Sequence, residues 1–181
     1  MWNLFSKKEK EEEPEQYVVR LITTKGIIEA DLFTEEMPIT TAHFMRIAQS
    51  GFYNGLQFFR YIPEILIQTG CPYNNGMGTA AHFGHIAQES CKIPLEEGVF
   101  AMPHTAPHMI GSQFFICLSQ RGVAHLEGAC PAFAKITSDI TVLSRLRAGD
   151  LLEKVEIITI KPEEKEGGKE EGKEEGEEES E

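Results

Sequence analysis

A guanidinium and an amide, Arg60 and Gln68, interrupt a strongly apolar run between Phe58 and Gly70. A charge buried unpaired in such a run costs several kcal/mol, so Arg60 must reach a partner, solvent or a ligand. The plainest partner would be an ion pair with Glu64 or Glu127. A second amide sits in Gly111-Ser112-Gln113-Phe114-Phe115-Ile116, which reads as one strand. Alternation turns Gln113 and Phe115 to one face and Phe114 and Ile116 to the other, so one face can be core and the other a site. Taken singly, Gln113 would be an ordinary strand glutamine and Phe115 a core residue. His82, His85, His104 and His108, with Cys71, Cys91 and Cys130, raise a metal, because His-x-x-His and His-x-x-x-His pairs can approach one ion. These pairs fall on separate expected loops and no cysteine pair has ligand spacing, so no metal site is expected.

The elements that position these residues follow from apolar pattern and punctuation. Residues 17–23 and 26–33 predict two strands joined at Thr24-Lys25, a hairpin signal. Pro38 starts a helix that ends before Gly51. Residues 56–68 are β-rich, with Pro63 where a ladder bond must be missing, as at an edge or bulge. Residues 72–79 are glycine-rich loop, without the Gly-Lys-Ser/Thr ending of a phosphate-binding loop. Strands are expected at 98–102, 111–116, 132–136 and 153–160, an irregular rim segment at 103–108, and a second helix from Thr141 to Arg147. About eight β segments and two helices fit a mainly β protein, a closed antiparallel barrel capped at its ends.

Six stretches in order resemble the cyclophilin-type peptidyl-prolyl cis-trans isomerases. They are Thr24-Lys25-Gly26-Ile27-Ile28-Glu29, Pro38 to Phe44, Gly51-Phe52-Tyr53-Asn54-Gly55, the Phe58 to Gly70 run with the Gly111 to Ile116 motif, and Leu126-Glu127-Gly128. The resemblance spans about residues 18–160 and implies an eight-stranded cyclophilin-like barrel. It also implies an enzyme that needs no cofactor and speeds rotation about X-Pro bonds. Arg60 matches the family's catalytic arginine, Gln68 the glutamine that helps fix it and binds the substrate carbonyl, and Gln113 the one that contacts the substrate backbone. Ile65, Leu66, Phe115 and Leu126 match the walls of the proline slot. Pro103, His104 and Thr105 match its rim, and His125 and Cys130 complete the substrate-binding set. Five of these depart from the family's common residues: Ile65 replaces Phe, His125 often Trp, Cys130 His, Pro103 Ala and His104 Asn. The altered pocket keeps open a second reading, a catalytically weak module that binds proline-containing segments.

Charge bounds the partners. Residues 1–16 carry three Lys and five Glu (net −2) and residues 161–181 four Lys and eleven Glu (net −7), so of the chain's −12 only −3 belongs to the body. Such ends repel phosphates, which argues against nucleic acid. The expected layout is a flexible charged extension over 1–16, a cyclophilin-like domain over 17–161 and a disordered Lys/Glu/Gly tail over 162–181. Four cysteines at irregular spacing suit reduced thiols, and no apolar run approaches the ~20 residues that span a bilayer, so the cytoplasm is the expected location. The expected partners are proline-containing peptides and unfolded or folding proteins, met by a monomer.

Overall fold

Strand β1 (Gln16–Thr23) turns at Thr24-Lys25 into β2 (Gly26–Leu32), and the register sets Val19 against Ala30 and Leu21 against Ile28, all buried. The hydroxyl of Thr23 closes the turn by donating to the Gly26 carbonyl, at 2.7 Å, and accepting from the Lys25 N–H. The computed structural model describes residues 15–161; the N-terminal extension up to residue 14 and the acidic tail from residue 162 lie outside the described residues. Helix α1 (Pro38–Gln49) begins with proline, whose missing N–H is no loss at that position, and the Glu89 carboxylate accepts from the next two N–H groups, those of Ile39 and Thr40.

Then come β3 (Leu56–Gln57), β4 (Arg60–Ile62), β5 (Leu66–Thr69), β6 (Ile86–Ala87), β7 (Val99–Ala101), β8 (His104–Ala106), β9 (Met109–Ile110) and β10 (Phe114–Cys117). The short helix α2 (Gln120–Val123), a 3-10 turn (Ala124–Leu126), β11 (Ala132–Ile136), α3 (Thr141–Arg145) and β12 (Leu151–Ile160) complete the chain. The main sheet is antiparallel, in the order β3-β12-β1-β2-β11-β7-β10-β5-β4. Its two edges, β3 and β4, are successive pieces of one segment. Phe58 between them continues the pairing, donating to the Asp150 carbonyl and accepting from the Gly149 N–H, each at 2.9 Å. Counted as one bent strand, residues 56–62 complete the expected eight.

The barrel interior is aromatic. Phe44 of α1 lies 4.8 Å from Phe133 and 5.5 Å from Phe114, centroid to centroid, and Val142 and Leu143 of α3 join the same core. A second apolar cluster covers the outside of the same strands: Ile67, Phe100 and Ile116 face in, while Leu66, Ala101 and Phe115 face out.

Three sequence expectations shift. The strand expected over 111–116 begins only at Phe114, because Ser112 is held by Thr79, whose Oγ1 accepts from the Ser112 N–H at 2.9 Å. The 56–68 run is three strands, with Pro63, Glu64 and Ile65 forming the turn between β4 and β5 and Glu64 at φ 59°. The rim segment is not wholly irregular, since β8 pairs with β9 and β9 with β6 in a separate three-stranded sheet.

Candidate functional site on the outer face of the barrel

Register alone brings the arginine and the amides together. Arg60 of β4 is directly opposite Gln68 of β5, and Gln68 is opposite Phe115 of β10, two positions beyond Gln113. The four side chains therefore share the outer face. An Arg60 Nη1–H donates to Gln68 Oε1 at 3.2 Å, and Gln68 Nε2 donates to Gln113 Oε1 at 2.8 Å. Gln113 Nε2 spends its two hydrogens on the Gly76 and Gly78 carbonyls, each at 2.8 Å. Gln68 and Gln113 are buried, whereas Arg60 is exposed and makes no ion pair among the described residues, with Glu64, Glu127 or any other group. A guanidinium held at one nitrogen and otherwise open to solvent keeps most of its donors for a ligand.

These residues line a pocket of about 490 Å³. Arg60, Gln68 and Gln113 line it together with Thr79, His85 and the Pro103-His104-Thr105 rim. Gln88 steadies the rim: its Oε1 meets His104 Nε2 while its Nε2 donates to the Ala129 carbonyl at 2.9 Å. The loop residue Met77, 89% exposed, also lines the pocket, whereas nothing in the type or spacing of Gln88 marks it in the sequence.

The proposed slot walls form the neighbouring apolar patch. Leu66, Phe115 and Cys130 belong to the outer cluster, with Ile65 and Leu126 packed on it half-buried. Burial pushes the Cys130 thiol up to about 11 and, with the neighbouring Cys130, the Cys117 thiol up to about 12, so both are neutral apolar surface at physiological pH. His125 stands exposed on the 3-10 turn, outside both pocket and cluster. His104 and His108 have ring centroids 6.3 Å apart, and among the described residues no three His, Cys, Asp or Glu side chains converge as a metal would require. No helix among them is long and apolar enough to cross a membrane.

Fold and site together define a closed antiparallel β-barrel with a guanidinium-bearing groove on its outer wall. Residues 18–162 match the family model described as cyclophilin type peptidyl-prolyl cis-trans isomerase/CLD. A peptidyl-prolyl cis-trans isomerase of Helicobacter pylori is 38% identical over 137 residues, covering 74% of this chain and 82% of its own. Peptidyl-prolyl cis-trans isomerase B of Bacillus subtilis is 35% identical over 130 residues, covering 72% and 90%. The fold is similar to that of a cyclophilin type peptidyl-prolyl cis-trans isomerase of Cryptosporidium parvum, with a TM-score of 0.72 at 24% identity over 79% of this chain and 98% of that one. The chain belongs to the cyclophilin-type peptidyl-prolyl cis-trans isomerase family.

Proposed function

We infer that this chain accelerates rotation about X-Pro bonds in peptides and folding proteins, with Arg60 as the group that stabilises the twisted bond. An X-Pro bond turns slowly because nitrogen donates its lone pair into the carbonyl, which leaves a barrier of about 18–20 kcal/mol. Twisting frees that lone pair and makes the nitrogen an acceptor. A fixed donor that meets it there lowers the transition state and leaves the planar ground states unaffected. The observation that carries this reading is the 3.2 Å bond from Arg60 to Gln68, which steadies an exposed guanidinium and leaves its other donors facing the groove.

In this reading the proline ring rests on the patch of Ile65, Leu66, Phe115, Leu126 and Cys130, and the flanking peptide runs past Pro103, His104 and Thr105, with His125 at the outer margin. Gln68 holds the arginine and meets the substrate carbonyl. Gln113 keeps one Oε1 lone pair through which it can also accept from substrate backbone. The protein works as a monomer without cofactor. Its four unpaired cysteines suit a reducing cytoplasm. The layout of an extension over 1–16, a domain over 17–161 and a tail over 162–181 stands as part of the same proposal.

One observation favours a second reading, a proline-segment-binding module with little turnover: Leu66 and Phe115 are only 4% and 1% exposed, so the patch offers little apolar surface. The test is the cis-trans exchange rate of a saturating X-Pro peptide by NMR, with the parent and with Arg60→Ala. Loss of a charged hydrogen bond worth about 2–4 kcal/mol in the transition state predicts a fall on the order of 30- to 1000-fold. Equal acceleration by Arg60→Ala refutes the mechanism. If neither protein accelerates exchange, the binding-module reading stands.

A further inference from the structure

The glycine-rich loop over 71–78 is joined to Arg60 by an unbroken series of side-chain bonds. Its turn is closed from within: Asn75 Oδ1 accepts from the Met77 N–H at 2.9 Å, Cys71 Sγ accepts from the Gly78 N–H at 3.3 Å, and the Cys71 thiol approaches Asn75 Oδ1 at 3.5 Å. Asn74 at φ 52° and Gly76 at φ 81° complete the reversal. The polarity of the wrapping N–H groups is visible at the buried thiol. Burial alone would raise Cys71, yet the backbone around Asn75, Gly78, Tyr73 and Gly76 brings it below its usual value.

The two carbonyls that this turn aims inward, those of Gly76 and Gly78, take both hydrogens of the Gln113 amide. With its NH₂ fixed, Gln113 must present Oε1 to Gln68 Nε2. Gln68 is then oriented in turn, and its own Oε1 is left for Arg60. Each amide has one orientation that satisfies all its bonds. A second contact runs beside the first, since Gly76 lies against the ring of Phe59, the residue before Arg60; a Cβ on Gly76 would come within 3.3 Å of Phe59 Cε2.

We propose that Asn75 and Cys71 are positioning residues for the isomerisation, holding the turn whose carbonyls orient Gln113, Gln68 and through them Arg60. The proposal rests on the isomerase reading and assigns Gln113 chiefly to this relay. Its first member is not among the residues that line the pocket: Asn75 is exposed and points its oxygen into the turn, so in this proposal its influence travels through the backbone it holds. Small displacements of a donor that must meet a reacting atom are costly, which is why a loosened support reads out in turnover.

The experiment combines NMR exchange kinetics on an X-Pro peptide with the ¹⁵N–¹H signal of the Arg60 Nε in the free protein, for Asn75→Ala, Asn75→Asp and Cys71→Ala. The Asp variant retains the Oδ1 acceptor. Asn75→Ala is expected to lower kcat by about tenfold with KM changed less than about twofold, and to shift the Arg60 signal. Asn75→Asp should restore both. Cys71→Ala, which opens the same turn from its other end, should repeat the kcat loss and the shift, and serves where Asn75→Ala fails to fold. Unchanged kcat in folded Asn75→Ala and Cys71→Ala overturns the proposal, as does a rise in KM alone, which would mean that the loop touches substrate directly. If the parent itself proves inactive, the isomerase reading fails separately, and the Arg60 signal still decides whether the turn positions the guanidinium.

Discussion

The hydroxyl of Tyr53 donates to the main-chain carbonyl of Ser112 across 2.9 Å, and both residues are wholly buried. Ser112 is a crossing point for three stretches of chain. Its hydroxyl donates to the Gly70 carbonyl at 2.7 Å and accepts from the Ala80 N–H at 2.9 Å, one residue before Gln113. Burial without a charged partner also holds the Tyr53 phenol well above its usual range, so it remains a donor at any working pH.

Removing these groups separates stability from geometry. Tyr53→Phe takes the donor from one buried carbonyl and should cost about 1–2 kcal/mol, while Ser112→Ala strips partners from a buried N–H and a buried carbonyl and should cost about 2–4 kcal/mol. Urea unfolding measures both. A smaller loss in Ser112→Ala than in Tyr53→Phe would contradict this ranking.

Arg60→Lys should recover little of the activity lost in Arg60→Ala. An ammonium keeps the charge, but it lacks the planar fork that bonds Gln68 with one nitrogen while offering the others to the imide. A lysine variant with more than about a third of the parent kcat would mean that charge alone suffices.

Gly122 is pressed against the turn that carries Ile65. A Cβ there would fall 2.2 Å from the Glu64 carbonyl oxygen and 2.9 Å from Ile65 Cα, both main-chain atoms that cannot swing aside. Gly122→Ala should therefore destabilise by about 1–3 kcal/mol and, by displacing the half-buried Ile65, raise KM for an X-Pro peptide more than it lowers kcat. Thermal unfolding and steady-state kinetics on one preparation check the pair.

Acid should loosen the protein through His43. Burial holds this imidazole below its ordinary 6.5, and Arg46 and His85 add to the effect against an opposing bond with the Gly111 backbone; its Nε2 has no partner. Below that value an unfolded chain takes up a proton that the folded one refuses, so stability falls as pH drops. Melting temperatures between about pH 7.5 and about pH 5 should decline more steeply for the parent than for His43→Gln, and parallel slopes would remove His43 from the account.

Much of the barrel was legible because its periodicities are local. The β1–β2 hairpin and α1 appear where alternation, Pro38 and Gly51 place them. Arg60, Gln68 and Gln113 were legible as a group through motif order, and the register then sets them side by side. The late start of the Gly111 to Ile116 strand was not, because the hydrogen bonds that hold Ser112 out of the ladder are with Thr79 and Ala80, more than thirty residues away. The break at residues 63–65 had a signal in Pro63, but Glu64 at positive φ has none in its residue type. The saturation of Gln113 by two glycine carbonyls was beyond sequence, since backbone acceptors have no identity there.

The bend at Phe58, where residues 56–62 close the barrel, lies two residues before Arg60, and two amide hydrogens, on Phe58 and Gly149, fasten it. A ring of paired strands opens most readily where pairing passes through a bend, so the hydrogen-exchange protection of those two amides measures how often the wall parts beside the guanidinium.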